Sequence, residues 1–149
     1  MKEKIKIGII GVGYVGLPLA VEFQKKYKVI CYDKNQSRIK SLKSNFDNTL
    51  EITSKNLKKV KRIKFTNDVN DLIEVNRFII TVPTPINIKN KPDLSMLKES
   101  SEIVGKYIKK GDIVIYESTV YPGCTEEICV PILEKYSRLK FNKDFFCGY

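Results

Sequence analysis

The run Gly11-Val12-Gly13-Tyr14-Val15-Gly16 follows directly on the apolar segment Lys4–Ile10 (KIKIGII) and leads into an amphipathic one. A GxGxxG pattern alone carries little weight. Placed between a strand and a helix, it reads as the phosphate-binding turn of a βαβ unit. Gly11 permits the tight turn, Gly13 leaves room for a pyrophosphate against the backbone, and Gly16 lets helix and strand close up. The free N–H groups near Tyr14 and Val15, with the positive end of the helix, face the phosphates. A glycine-rich turn without a ligand is the plain alternative, and the strand-to-helix context speaks against it.

Outward from this turn the chain alternates between two periodicities. Lys4–Ile10 is apolar and β-branched, as a buried parallel strand is. Tyr14–Lys26 places Val15, Leu19, Ala20 and Phe23 at helical spacing. Lys28–Asp33 (KVICYD) reads as a strand and Asn35–Leu42 as a short helix. Phe46–Ile63 is polar and without clear period, part of it a helix opening near Thr53 or Ser54. Lys64–Thr66 is a strand, and Asn67–Val75 a helix capped by Asn67 or Asp68. Arg77–Val82 (RFIITV) is a strong strand, and Pro83–Pro92 an extended loop. Asp93 or Ser95 caps a helix running to about Ile108, with Leu97, Ile103 and Val104 inward, closed by Lys109–Gly111. Asp112–Tyr116 is a strand, Thr125–Tyr136 a helix after the break at Gly123, and Phe145–Tyr149 a last strand. The pattern predicts an α/β fold of Rossmann-like, doubly wound type. It has a mainly parallel sheet, helices on both faces, and a single domain over residues 1–149. Ligands of such sheets bind at the carboxyl ends of the strands.

Composition removes several classes of function. Apolar residues are 42% of the 149, enough for a core, and no apolar run approaches the ~20 residues of a membrane span. Ile5–Leu19 is too broken by glycine and proline for a secretion signal, so a cytoplasmic protein is expected. The four cysteines (Cys31, Cys124, Cys129, Cys147) form no CxxC pair, and histidine is absent. Reduced, mostly buried thiols are expected, with no metal site. The formal charge is +10, densest around Lys58, Lys59, Lys61 and Arg62. That stretch lacks the interleaved aromatics of a single-strand binder, so a solvated lysine-rich face is expected rather than nucleic acid. The excess charge would still draw in a phosphorylated ligand.

Asp33 ends the second strand, at the spacing of about 20 residues where an acidic side chain takes the ribose hydroxyls. Its carboxylate would repel a 2′-phosphate and favours NAD as the cofactor, while nearby Lys34 and Arg38 keep NADP as an alternative. As an ordinary residue, Asp33 would simply form a turn. Val82-Pro83-Thr84-Pro85 leaves a strand at the same rim, rigid by its prolines, with a hydroxyl at Thr84. Glu117-Ser118-Thr119-Val120 leaves another. In the following Gly123-Cys124-Thr125-Glu126-Glu127, Thr125 can cap the helix, and the two acids suit its dipole.

The run GVGYVGLPLA, the VPTP and PDLS segments and YESTVYPGCTEE stand in one order along the chain. Together they resemble the UDP-glucose/GDP-mannose dehydrogenase family over essentially the whole chain, and most of all its members that oxidise UDP-N-acetylhexosamines for surface polysaccharides. The resemblance implies an oxidoreductase that carries out a four-electron oxidation. In it, two NAD molecules in turn convert a sugar C6 alcohol to a carboxylate through a thioester on cysteine. By position, Gly11, Gly13, Tyr14, Val15 and Gly16 resemble the pyrophosphate loop. Asp33 resembles the ribose ligand, and Arg38 a residue against the adenine. Thr84 and Thr119 resemble contacts near the nicotinamide, and Thr119 is also similar to a threonine that helps order a catalytic water.

The family's nucleophilic cysteine, its catalytic lysine, asparagine and aspartate, and most of its sugar-binding region lie downstream of the matched motifs. This chain is therefore expected to hold NAD without turning over a UDP-sugar by itself, and full-length members are expected to be homo-oligomers. Cys124, near a helix start, is the best of the present cysteines for a nucleophile, but no base stands near it in sequence. Two other readings are an NAD-sensing or structural module without chemistry, and a basic nucleic-acid-binding protein.

Overall fold

A computed structural model describes residues 4–88 and 90–149. Its centre is one six-stranded sheet, every neighbouring pair parallel, as expected. The strands are β1 Lys6–Ile10, β2 Lys28–Tyr32, β3 Ile63–Thr66, β4 Arg77–Ile80, β5 Ile113–Tyr116 and β6 Phe146–Gly148. Their order across the sheet is β3-β2-β1-β4-β5-β6. The chain winds outward from β1 to one edge, returns, and winds from β4 to the other. The crevice between the two halves thus opens above β1 and β4.

The helices are α1 Gly16–Phe23, α2 Gln36–Lys43, α3 Ser54–Leu57, α4 Ser95–Gly105 and α5 Val130–Ser137. Strand alternation sends neighbouring residues to opposite faces, so the sheet needs cover on both. Ile7, Ile9 and Ile79 pack with Leu17, Ala20, Leu42 and Leu57 on one face. Ile10, Phe78 and Ile80 pack with Leu97, Val104, Leu133 and Phe145 on the other. The lysine-rich stretch is solvated as expected: Lys55, Lys58, Lys59, Lys61 and Arg62 are all exposed. Among the described residues no helix is long and apolar enough to cross a membrane.

Some local expectations need correction. The first helix begins at Gly16 rather than Tyr14, because Tyr14 and Val15 belong to the turn that carries the loop over the sheet edge. The segment before β4 is a 3-10 helix, Val69–Glu74, capped by Asp68, whose side chain accepts from the Asn70 amide. Thr125 is no cap: it is buried inside a π-helical turn, Thr125–Cys129, that leads into α5. No side chain caps that turn, and Glu126 and Glu127 lie in its first residues, in keeping with the dipole reading. Helix α4 starts after Leu94, and Asp93 accepts from the Ser95 amide at 2.9 Å. The loop Pro83–Pro92 includes Lys89, which lies outside the described residues. Around it the chain is a narrow hairpin rather than extended, Ile86 bridging Pro92 and the Asn87 amide donating to the Lys91 carbonyl.

Candidate functional site

Strands β1, β2 and β4 end flush, with Ile10 beside both Tyr32 and Ile80. The hydrogen-bond ladder runs one residue further on these strands and on β5: Gly11 donates to the Tyr32 carbonyl, Asp33 to that of Thr66, Thr81 to that of Ile10 and Glu117 to that of Ile80. Gly11, Asp33, Thr81 and Glu117 therefore stand along one rim. Above it lies a cavity of about 370 Å³, floored by the Gly11–Gly13 loop and walled by Asp33, Arg38, Pro83 and helix α4.

The loop takes its shape from two glycines. Gly11 has φ +91°, which a side chain would strain, and a Cβ there would stand 2.8 Å from Val82. At Gly16 a Cβ would lie 2.2 Å from the Gly11 carbonyl oxygen and 2.6 Å from Thr81 Oγ1, so loop and helix touch directly. Thr81, which ends the apolar run of β4, donates its hydroxyl to that same Gly11 carbonyl at 2.5 Å. Gly13 differs: a Cβ built on it meets nothing within 4 Å. The amides of Gly13, Tyr14 and Val15 donate to no acceptor among the described residues. Tyr14 and Val15 are exposed beside them. The loop thus offers open space and unused donors at a helix start, the requirement for an anion.

Val12 between those glycines is gripped on both sides. Its amide donates to Asp33 Oδ2 at 2.9 Å, and its carbonyl accepts from Arg38 Nε at 2.7 Å. Asp33 Oδ1 takes the Asn35 amide, so the turn-forming role of this aspartate is also present. Arg38 is buried, and its guanidinium donates to Asp47 Oδ1 at 2.7 Å. Burial alone would raise the Asp47 carboxyl. The Thr49 hydroxyl, the Ile52 amide and the Arg38 guanidinium outweigh it and hold the group at about 2. Asp47 and Thr81 are the functional neighbours that reading the sequence misses. A polar residue closing an apolar strand marks Thr81; for Asp47 the signal is weaker, an Asx turn in an aperiodic stretch.

The cations near Asp33 are both occupied. Arg38 is spent on Asp47 and Val12, and Lys34 Nζ stands 2.5 Å from Glu99 Oε2 on α4. The Arg38 pair is buried, whereas the Lys34 pair is about half exposed.

Thr84 and Thr119 do not line the cavity, but the fold brings them together. The Thr84 hydroxyl donates to the Thr119 carbonyl at 2.6 Å, and Ser118 Oγ donates to the Val82 carbonyl at 2.6 Å. These bonds tie the loops after β4 and β5, with Thr119 exposed. The cysteines are free thiols. Cys31, Cys124 and Cys129 are buried and Cys147 half-buried. Burial pushes the Cys129 thiol up to about 11 and Cys147 to about 12, and raises Cys31 well above its ordinary value. Cys124 is wholly enclosed and does not reach the cavity, against its choice as nucleophile.

The sequence model of the UDP-glucose/GDP-mannose dehydrogenase family, NAD binding domain, matches residues 5–148. UDP-N-acetyl-D-glucosamine 6-dehydrogenase from Pseudomonas aeruginosa is 57% identical over all of this chain, and its counterpart from Salmonella typhi 54% identical over 99% of it. The chain spans about a third of their length, 35% in each case. Among solved structures, the UDP-D-ManNAc dehydrogenase from Pyrococcus horikoshii superposes with a TM-score of 0.90 at 35% identity, over 97% of this chain and 36% of that one.

Proposed function

Because the chain belongs to the UDP-glucose/GDP-mannose dehydrogenase family and is its NAD-binding domain, we propose that it presents NAD to a UDP-sugar whose C6 hydroxyl is oxidised to a carboxylate. UDP-N-acetylglucosamine or UDP-N-acetylgalactosamine is the proposed substrate. The observation that carries this reading is the undonated cradle of Gly13, Tyr14 and Val15 amides, set beside a cavity with the Asp33 carboxylate at its other side.

The residues present fit the dinucleotide. Gly13 leaves the space that a pyrophosphate needs. Asp33 keeps lone pairs for the ribose diol after accepting two amides. Arg38 lines the adenosine side as a fixed wall, since its guanidinium is engaged. When bound, NAD supplies the hydride acceptor. The chain's own part is to hold and orient: amides on the phosphates, Asp33 on the ribose, and the tied loops of Thr84 and Thr119 toward the nicotinamide. Thr119, exposed at that rim, is the residue proposed to order water in the reaction. None of the four cysteines is proposed as the thioester nucleophile, because none combines exposure with an activating partner. Unpaired thiols suit a reducing compartment, in keeping with a cytoplasmic enzyme.

Titration with NAD and NADP tests the reading. Asp33→Ala is expected to weaken NAD by about 1.5–3 kcal/mol, the worth of a hydrogen bond to a charged group. NADP is expected to suffer less, since a repelling charge leaves with the side chain. If neither affinity moves, Asp33 is only a turn residue. Tight oligonucleotide binding without NAD binding would overturn the whole reading.

A further inference from the structure

We propose that Glu99 is a specificity-determining residue for the cofactor: held on Lys34 across the rim from Asp33, it takes the cation that a 2′-phosphate needs and sets a second carboxylate against it. The inference rests on the cofactor reading above. Dinucleotide sites that accept a 2′-phosphate supply a basic side chain near the ribose-binding position. Here that position is Asp33, and Lys34 follows it directly.

Of the two cations lining the cavity, Arg38 is already committed within the protein. It is buried, bonded to the Val12 carbonyl and paired with a fully buried Asp47 side chain. Lys34 is different: both it and Glu99 are about half exposed, so their 2.5 Å pair is a contact that a ligand can compete for. Glu99 comes from the middle of α4 rather than from the loop, so the helix keeps its backbone at the rim whether or not Lys34 turns away. The two carboxylates act on a common spot. The Tyr32 hydroxyl beneath them is pushed up by burial, and then by Glu99 and Asp33. The partnership with Glu99 also keeps the Lys34 ammonium charged above its ordinary range. Asp33, Lys34 and Glu99 thus meet at the adenosine rim, two carboxylates to one exposed cation.

The test is binding of NAD and of NADP to the 149-residue chain by calorimetry, in wild type, Glu99→Gln, Lys34→Gln and the double variant. In Glu99→Gln the ratio of the NADP to the NAD dissociation constant is expected to fall about fivefold, as for one exposed charge pair. That fall is expected to shrink at roughly 1 M salt, where screening acts within about 3 Å. It is also expected to be smaller in the Lys34→Gln background. An unchanged ratio in Glu99→Gln, with NAD still bound, overturns the proposal alone. An equal fall with and without Lys34 overturns it too, since Glu99 would then not be acting through that cation. A wild-type chain that binds neither dinucleotide brings down the cofactor reading, and this one with it.

Discussion

At the Asp33 side of the cleft both backbone groups of Val12 are taken by side chains, and those side chains are themselves held. At the Thr84 side, the loops after β4 and β5 meet through two hydrogen bonds from hydroxyls to carbonyls, and Thr119 faces solvent. The first region is a closed network built on buried charge; the second is a pair of tied strand ends. A buried network is costly to break, because removing one member leaves a desolvated partner. A single exposed hydrogen bond is cheap to lose. The end of the cleft at Val12, Asp33 and Arg38 is therefore a rigid part of the fold, while the far rim is shaped by loops that stability hardly constrains.

The sharpest way to break this comparison is within the glycine loop. Gly16→Ala drives a methyl into the Gly11 carbonyl and Thr81, and overpacking against backbone is expected to cost about 3 kcal/mol in urea unfolding. Gly13→Ala meets no atom. Its unfolding free energy is expected to move by less than about 0.5 kcal/mol, as for a surface change. NAD binding should nevertheless fall at least about tenfold in Gly13→Ala, because the methyl fills the place of the pyrophosphate. A Gly13→Ala chain that binds NAD normally would mean that the open cradle is not where the phosphates sit.

Acid probes the network next. Asp47 titrates at about 2 in the folded chain, below the ordinary 3.8 of its unfolded form. Its contribution is therefore whole above about pH 4 and is lost as the pH falls toward 2. The difference amounts to about 2 kcal/mol. Unfolding free energy measured across that window should fall by about this much more in wild type than in Asp47→Asn, in which the other lowered carboxylates, Asp71 and Asp144 among them, still titrate. The same slope in both would take Asp47 out of the account. The smallest effect belongs to the far rim. Thr84→Val removes the bond to the Thr119 carbonyl, and a cost of about 0.5–1 kcal/mol is expected in the same unfolding assay. A much larger loss would show that the second region is as closed as the first.

The sheet was readable from sequence because its strands are short apolar runs that stop at turn residues: Ile10 before Gly11, Tyr32 before Asp33, Ile80 and Thr81 before the prolines. Parallel strands buried on both faces leave that continuous signature. The glycine loop is readable as well, since its spacing between a strand and a helix stands in the sequence itself. Asp47 was not. It lies in Phe46–Ile63, where no periodicity operates, and its importance comes from meeting Arg38 in space. The π-helical turn at Thr125–Cys129 was also hidden, because its apolar spacing is close to that of an α-helix. Nor does sequence tell that Lys34, beside Asp33, is already engaged by a residue on a distant helix. What it misses throughout is pairing between elements, which is fixed only once the sheet has formed.

The grip on Val12 has a consequence in time as well as in energy. A cradle whose amides already point outward needs no loop closure before an anion can settle. Capture of the dinucleotide should then proceed at an encounter-limited rate, raised by the attraction of a chain carrying ten excess positive charges and lowered by added salt. Residence is then governed by departure alone.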